Sequence, residues 1–174
     1  IWDFSEIKGH KGSKISENME LMPGARFFPD AKLNYAENLL RAPNNSVAIE
    51  EFREDGLSNA LTRKELESKA LKMAGWMKSK GVKKGDRVCA YMPNCSETVI
   101  SMLATSALGA IFSSCSSDFG IEGVIDRFEQ IEPKIMIAAN GYLYNGKVID
   151  RSKEIKTISK RLPSLENIIV VDYI

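Results

Sequence analysis

The sequence predicts an α/β protein in which a mostly parallel sheet is flanked by helices and preceded by an irregular arm. Short apolar segments, such as residues 135–138 and 168–171, alternate with helical segments of about 12 residues, which is typical of βαβ units. These apolar segments show no polar alternation, and this favours strands that are covered on both faces of a sheet. Right-handed crossovers between such strands give a parallel sheet.

The first elements in the chain are irregular. Residues 1–45 are predicted to form an arm because glycine and proline interrupt them repeatedly, and residues 46–174 are predicted to form the α/β portion. A short helix is expected within the arm at 33–40, where leucine and alanine fall on one side.

A hairpin and a capped helix are predicted next. Residues 47–52 alternate in polarity, and the Asp55-Gly56 turn leads to a return strand at 57–61. Thr62 and Glu65 have the spacing of a capping box, in which the hydroxyl and the carboxylate satisfy free backbone N–H groups reciprocally.

The rest of the chain alternates between strands and helices. Strands are predicted at 87–92, 110–112, 135–138 and 168–171. Helices are predicted at 96–108, from an N-cap at Asp118 to about residue 130, and at 152–161. Residues 141–146 are expected to form a tight polar loop.

Composition and charge exclude several classes of protein. The 174 residues are 44% hydrophobic, and 24 basic residues balance 23 acidic ones to a net charge of +1. Such a balance gives no long-range attraction to nucleic acid or to an anionic membrane. No apolar run approaches the roughly 20 residues of a membrane span. We therefore expect a cytoplasmic protein without nucleic-acid or membrane partners.

Three cysteines and one histidine limit the possible metal and nucleophile chemistry. Cys89, Cys95 and Cys115 show no C-x-x-C spacing, so neither a disulfide framework nor a zinc site is expected. They are predicted to be buried free thiols in a reducing compartment. A nucleophilic Cys115 is the alternative, but a thiolate needs a base or cation beside it, and His10 lies far away in the sequence.

A ligand is expected at four predicted strand ends, because ligands of open α/β sheets bind there: at residues 93–95, 113–118 and 140–147, and in whatever follows residue 174. None of the three segments within the chain carries a dinucleotide fingerprint, a phosphate loop or a hydrolase elbow. The Ser-rich segment 113–118 fits either ligand hydrogen bonding or ordinary turn formation. Residues 141–147 fit either base stacking with phosphate pairing or a surface connection.

Several segments together resemble a known family. The residues concerned are MPGARFFP at 22–29, LNYAENLL at 33–40, GAIFSSCS at 109–116 with DFG at 118–120, QIEPK at 130–134, and GY with YNGK within 141–147. These segments occur in the same order as in the N-terminal region of the acetoacetyl-CoA synthetase family, which they resemble. That family belongs to the adenylate-forming acyl-CoA synthetases. The resemblance implies the first subdomain of that family's large N-terminal domain.

The resemblance also implies a function. The family uses ATP, Mg²⁺ and CoA to activate a short acid, here acetoacetate, as acyl-AMP and to transfer it to CoA. The family's Ser/Thr/Gly-rich phosphate loop, its ribose-binding acid and its late catalytic lysine have no match here. Together with a start at Ile1 rather than Met, this predicts an N-terminal piece that has no catalytic residue, binds no cofactor tightly and is inactive alone.

One contact is implied by the resemblance. In related acetyl-CoA synthetases a loop with basic residues contacts CoA phosphates, and the matching residues here are Tyr144, Asn145, Gly146 and Lys147. Lys147 keeps the cation, whereas Leu143 stands where those relatives have a basic residue. Arg26, in the arm, is expected to form a structural ion pair.

The alternative function is a non-catalytic α/β module that binds nucleotide or a partner. A receiver-like domain would need clustered acids at an early strand end, where this chain has Pro93-Asn94 and Ser113-Ser114 instead. A redox Rossmann domain is opposed by the missing glycine fingerprint.

Overall fold

A computed structural model describes residues 1–56 and 58–174 and divides the chain into two compact units, residues 1–41 and 42–174. The first unit contains β1 (Ser16–Glu17), β2 (Arg26–Phe27) and α1 (Tyr35–Leu39). The second unit contains the other elements. The domain assignment from the sequence, 1–45 and 46–174, stays a prediction.

The predicted helix of the arm is present but shorter than expected. It begins after Asn34, whose side chain accepts a hydrogen bond from the Glu37 backbone N–H at 3.1 Å and so acts as the N-cap. The Asn38 side chain then fixes the helix to the start of the chain. Its Oδ1 accepts from the Lys8 N–H at 2.8 Å, and its Nδ2 donates to the Lys8 carbonyl at 2.9 Å.

Arg26 forms the structural ion pair that the sequence predicted. Glu17 and Arg26 face each other across the antiparallel pair β1–β2, with Arg26 Nη1 at 2.9 Å from Glu17 Oε1. The arginine side chain is largely exposed, so the pair contributes little to stability. It lies across the register in which Glu17 pairs with Arg26.

The second unit begins with an antiparallel hairpin and a capped helix. The hairpin consists of β3 (Val47–Phe52) and β4 (Ser58–Thr62), and α2 (Arg63–Ser79) follows directly. Leu57, the first residue of the predicted return strand, lies outside the described residues. The predicted capping box at the start of α2 is confirmed. The Thr62 hydroxyl accepts from the Glu65 N–H at 3.2 Å, and the Thr62 N–H donates to Glu65 Oε2 at 2.9 Å.

A four-stranded parallel sheet organises the unit, as the sequence predicted. Its strands are β5 (Arg87–Tyr91), β6 (Ile111–Cys115), β7 (Ile135–Ala139) and β10 (Asn167–Val171), and their spatial order is β10-β7-β5-β6. The helices that connect them are α3 (Ser96–Ala107), α4 (Ile121–Glu129) and α5 (Ser152–Arg161).

The sheet separates two apolar clusters. Side chains of α2 and α3 pack on one face with Ile135, Ile137 and Ala139, whereas α4 and α5 pack on the other face with Met136 and Ala138. Every residue of β7 is therefore fully buried. This two-sided burial explains why the strand is apolar at every position.

Two predicted boundaries near β6 are wrong. Ser113 and Ser114, expected in a loop, belong to the strand, because they pair in register with Cys89 and Ala90 of β5. Pairing with a central strand outweighs the low strand propensity of serine. Asp118, expected to cap α4, does not do so: Gly120 is the N-cap, and α4 begins at Ile121.

The predicted polar loop at 141–146 is also wrong, since these residues form most of a β-hairpin. β8 (Gly141–Tyr144) pairs antiparallel with β9 (Lys147–Asp150). Asn145 and Gly146 join them with φ values of 50° and 71°. Two successive positive φ values are typical of a two-residue hairpin turn, and Asn-Gly is its favoured sequence.

No described helix combines the length and the apolar character needed to cross a membrane.

Candidate functional site

A crevice opens at the carboxyl ends of β5 and β6. The helix after β5, α3, packs on one face of the sheet, and the helix after β6, α4, packs on the other. Ligands of open α/β sheets bind beyond the carboxyl ends of the strands, which is where this crevice lies. A cavity of about 260 Å³ lies there, lined by residues 92–94, Thr98 and residues 114–116.

The cavity offers hydroxyl and backbone groups, and the described residues that line it carry no charge. The Thr98 hydroxyl donates to the Pro93 carbonyl at 2.8 Å and lies 3.4 Å from Cys95 Sγ. This arrangement suits hydrogen bonding to a neutral part of a ligand. It does not supply the charge that a phosphate group needs.

The three thiols are buried and free, as the sequence predicted. Burial raises the pKa of Cys89 and Cys95 and raises the pKa of Cys115 to about 12. At neutral pH these groups are thiols rather than thiolates. The interpretation of Cys115 as a nucleophile therefore loses its chemical basis, although Cys115 lines the crevice.

The turn after β6 is held by its backbone. The Ser117 carbonyl accepts hydrogen bonds from the Tyr91 hydroxyl at 2.9 Å and from Arg151 Nε at 3.0 Å, and Tyr91 also donates to the Phe119 carbonyl at 2.8 Å. Burial raises the pKa of Tyr91 to about 12, so the phenol remains a donor at neutral pH. The Ser117 hydroxyl is buried without a hydrogen-bond partner in the described part of the chain.

The four residues predicted to contact CoA come together at the tip of the β8–β9 hairpin. Tyr144 is 65% exposed, and Asn145, Gly146 and Lys147 are exposed as well. Lys147 forms no ion pair with any residue that the structure describes. The Gly146 N–H donates to Glu54 Oε2 at 3.1 Å, so a carboxylate already occupies one donor of the turn.

The base of the hairpin is fixed to the edge of the sheet. The Asn140 side chain donates to Asp172 Oδ1 at 2.7 Å and accepts from the backbone N–H groups of Tyr173 and Ile174 at 2.9 and 3.1 Å. Gly141 follows at a close approach, where a Cβ would overlap the Ile174 side chain. Glycine is required here by space rather than by a positive φ.

Arg151, which follows β9 at the base of the hairpin, is a residue that the sequence reasoning missed. Its guanidinium contacts Ser117, Tyr142 and Glu154. The sequence offered one signal for such a donor and acceptor network: Tyr91 lies near the end of a predicted apolar strand. A tyrosine hydroxyl that is buried usually needs a hydrogen-bond partner.

A second, charged cavity of about 340 Å³ lies between the β3–β4 hairpin and the end of β10. Arg53 lines this cavity. The Arg53 guanidinium forms an ion pair with Asp55 at 2.8 Å and stacks 4.3 Å from the centre of the Tyr173 ring. Acidic side chains of Glu51 and Glu97 line the same cavity. Within residues 1–56 and 58–174 there is no group of three or more histidine, cysteine, aspartate or glutamate side chains placed to hold a metal ion.

Comparison with known proteins identifies the class of protein to which this chain belongs. The protein-family model described as AMP-binding enzyme matches residues 36–173. This chain belongs to the AMP-binding enzyme family.

Two curated relatives and one solved structure show a more specific similarity than the family model does. The chain is 44% identical over 162 residues to acetoacetyl-coenzyme A synthetase of Rhizobium meliloti (strain 1021), a match covering 93% of this chain and 25% of that protein. It is 42% identical over 178 residues to acetoacetyl-CoA synthetase of Macaca fascicularis, covering 100% and 26%. Among solved structures, acetoacetyl-CoA synthetase from Streptomyces lividans matches with a TM-score of 0.91 and 34% identity, covering 97% of this chain and 27% of that one.

The chain thus spans about a quarter of the length of the curated relatives it matches. The resemblance seen in the sequence and the predicted fold are confirmed by these matches. The predicted CoA contact is not tested by them.

Proposed function

We propose that this chain is the N-terminal part of an ATP-dependent acid–thiol ligase that activates acetoacetate and transfers it to CoA. The observation that carries the proposal is the 44% identity to an acetoacetyl-coenzyme A synthetase over 93% of the chain. The fold supports it, because a structure with a TM-score of 0.91 has the same named activity.

The reaction has two half-reactions. A carboxylate oxygen of acetoacetate attacks the α-phosphorus of ATP, and pyrophosphate leaves with the electron pair of the broken P–O bond. The thiol of CoA then attacks the acyl carbonyl of the adenylate, loses its proton, and AMP leaves. Charge stabilisation and placement of the phosphates are the main physical requirements.

No catalytic residue of this reaction is assigned to the chain, and neither is a Mg²⁺ ligand. The uncharged crevice at β5 and β6 supplies no cation for ATP phosphates. In the described ranges, side chains that would suit a divalent cation do not cluster in threes. ATP and Mg²⁺ are proposed for the whole enzyme, as its family implies.

The chain's own contribution is proposed to be a contact with CoA through Tyr144, Asn145, Gly146 and Lys147. An exposed ammonium without an ion-pair partner in the described structure is available to a phosphate. The exposed Tyr144 ring beside it offers a stacking surface. The Glu54 carboxylate at the Gly146 N–H opposes an anion there, so the ammonium has to supply the net attraction.

The test is Lys147→Ala in the full-length protein that carries this chain. The apparent affinity for CoA should fall, while acetoacetate-dependent ATP–pyrophosphate exchange, which needs no CoA, should stay unchanged. Lys156→Ala is the matched control, because Lys156 is an exposed lysine on α5. An unchanged affinity for CoA in Lys147→Ala would overturn the assignment of this contact.

The proposed partners are small molecules only, and the proposed location is the cytoplasm, which the buried free thiols support. A non-catalytic nucleotide-binding or interaction module remains the other candidate function, but no observation favours it. Calorimetric titration of the full-length protein with CoA, ATP and NAD separates the two, because tight binding of NAD contradicts the ligase.

A further inference from the structure

We propose that Arg151 is a positioning residue that holds the β8–β9 hairpin against the turn after β6 and so sets where Lys147 meets CoA. This inference rests on the proposed function, since it concerns the same hairpin. It assigns a share in the placement of the hairpin, beside the contacts of Asn140, to a side chain that lies at the base and does not itself touch the ligand.

The Arg151 guanidinium joins three elements. Nε donates to the Ser117 carbonyl, in the turn after β6, at 3.0 Å. Nη2 donates to the Tyr142 hydroxyl, in β8, at 3.2 Å, and Nη1 pairs with Glu154 Oε1, in α5, at 3.0 Å. The side chain is only 16% exposed, so water competes weakly for these donors.

The backbone of Arg151 adds a fourth connection. Its N–H donates to the Asn140 carbonyl at 2.8 Å, which closes the base of the hairpin. The guanidinium also faces the Tyr142 ring, 5.3 Å from its centre. Arg151 therefore fixes both the base of the hairpin and the side chain of one of its strands.

The turn after β6, to which Arg151 donates, is also hydrogen-bonded to the sheet. Tyr91 has no exposed surface and donates from β5 to the Ser117 and Phe119 carbonyls. The Ser117 carbonyl, which accepts from both Tyr91 and Arg151, connects the central strand of the sheet to the hairpin. Through that oxygen Arg151 adds a side-chain connection between the sheet and the hairpin, beside the one that Asn140 makes to the end of β10.

The hairpin needs such a connection. In the part of the chain that the structure describes, β8 and β9 pair only with each other. A two-stranded hairpin is at best marginally stable by itself, so its orientation depends on the contacts that fix its base and on the Glu54 carboxylate that accepts from the Gly146 N–H at its tip. Lys147 lies next to the turn at the far end, where a small change of angle at the base becomes a larger displacement.

The geometry requires arginine. A planar guanidinium directs its donors along fixed, divergent directions, and here Nε, Nη1 and Nη2 each serve a different element. The single nitrogen of lysine keeps the charge but cannot reproduce this arrangement. Arg151→Lys thus separates the role of geometry from the role of charge.

The test compares Arg151→Met, Arg151→Lys, Lys147→Ala and the double variant Arg151→Met with Lys147→Ala in the full-length protein. Both Arg151 variants should raise the KM for CoA by roughly tenfold or more, since a misplaced contact is costly, with ATP–pyrophosphate exchange unchanged. The double variant should be no worse than the more damaging single one. Arg161→Met is the control, as Arg161 is an arginine of α5 that pairs with Glu122 away from the hairpin.

Each outcome is decisive. If Lys147→Ala leaves CoA affinity unchanged, the proposed contact fails. If Lys147→Ala weakens CoA binding and Arg151→Met does not, the positioning role alone is wrong. Equal loss of both half-reactions in Arg151→Met, or additive effects in the double variant, also overturns it.

A milder variant keeps the proposal testable if Arg151→Met does not fold. Tyr142→Phe removes a single hydroxyl and one of the guanidinium's hydrogen bonds. A rise in the KM for CoA without a change in exchange is expected. If neither Tyr142→Phe nor Arg151→Lys raises it, the inference is overturned.

Discussion

At the scale of single residues, burial decides the chemistry of the three thiols. Burial raises the pKa of Cys115 to about 12, so at pH 8 its thiolate fraction is on the order of 10⁻⁴. Burial also raises the pKa of Cys89 and the pKa of Cys95.

We therefore expect the native chain to react slowly with a thiol-specific disulfide reagent at pH 8. In denaturant all three thiols should react at the rate of a free cysteine, which provides the control. The measurement is the absorbance of the released reagent over time. A native thiol that reacts as fast as the denatured ones would contradict the expectation.

The residues of the site were predictable to different degrees. The tip residues of the hairpin were singled out both by the pattern of residues 141–147 and by a family resemblance, and their contact with CoA stays a prediction. Arg151 was missed because two of its partners are the backbone carbonyls of Ser117 and Asn140, and a carbonyl leaves no mark in the sequence. Asp118 was misjudged as a cap, because the chain makes a turn from Ser116 to Phe119 before α4 begins.

At the scale of elements, the capping box at the start of α2 leads to a prediction. Thr62→Ala should lower the free energy of unfolding by about 1 kcal/mol, because a helix donor loses its partner, whereas Thr62→Ser should cost less. Chemical denaturation monitored by circular dichroism measures both. Equal stability of the alanine variant and the wild type would contradict the role of the cap.

The same prediction carries a pH dependence. The hydrogen bond from the Thr62 backbone holds the pKa of Glu65 below its ordinary value of 4.5, and the Thr62 hydroxyl adds to this. The stability that the ionised Glu65 carboxylate contributes is therefore complete above pH 4.5. It is lost as the pH falls through the lower pKa that Glu65 has in the folded state. The stability difference between wild type and Glu65→Gln should shrink below pH 4.5.

Elements with a clear apolar run were predicted well, and those that mix polar residues into a strand were not. β5 and β7 are recognisable because both of their faces are covered. β10 has a similar apolar run, but the expectation that both of its faces are covered is wrong, because Ile168 and Val170 are exposed on one face of this edge strand. β6 was cut short at Ser113 and Ser114, whose strand conformation depends on pairing with β5. The β8–β9 hairpin was taken for a loop, although its Asn145-Gly146 turn carries the standard signal.

At the scale of the whole molecule, the share of its relatives that the chain spans leads to a prediction about activity. The chain spans about a quarter of the relatives it matches, and no catalytic residue is assigned within it. The 174-residue chain alone should catalyse no acetoacetate-dependent ATP–pyrophosphate exchange, whereas the full-length protein should. Exchange above the level of a heat-inactivated control, measured with labelled pyrophosphate, would contradict this.

The order of strands in the sheet also bears on how the chain folds. β5 pairs with β6 through Arg87 and Ile111, 24 positions apart (111 − 87), and with β7 through Val88 and Ile135, 47 positions apart (135 − 88). Doubling a loop adds only about 0.6 kcal/mol of closure entropy, so distance along the chain hardly separates these two pairings. During synthesis, however, β5 emerges first and keeps one open, apolar edge until β7 has been made. A strand that ends in the interior of the sheet thus presents an unpaired edge while the chain is still being made.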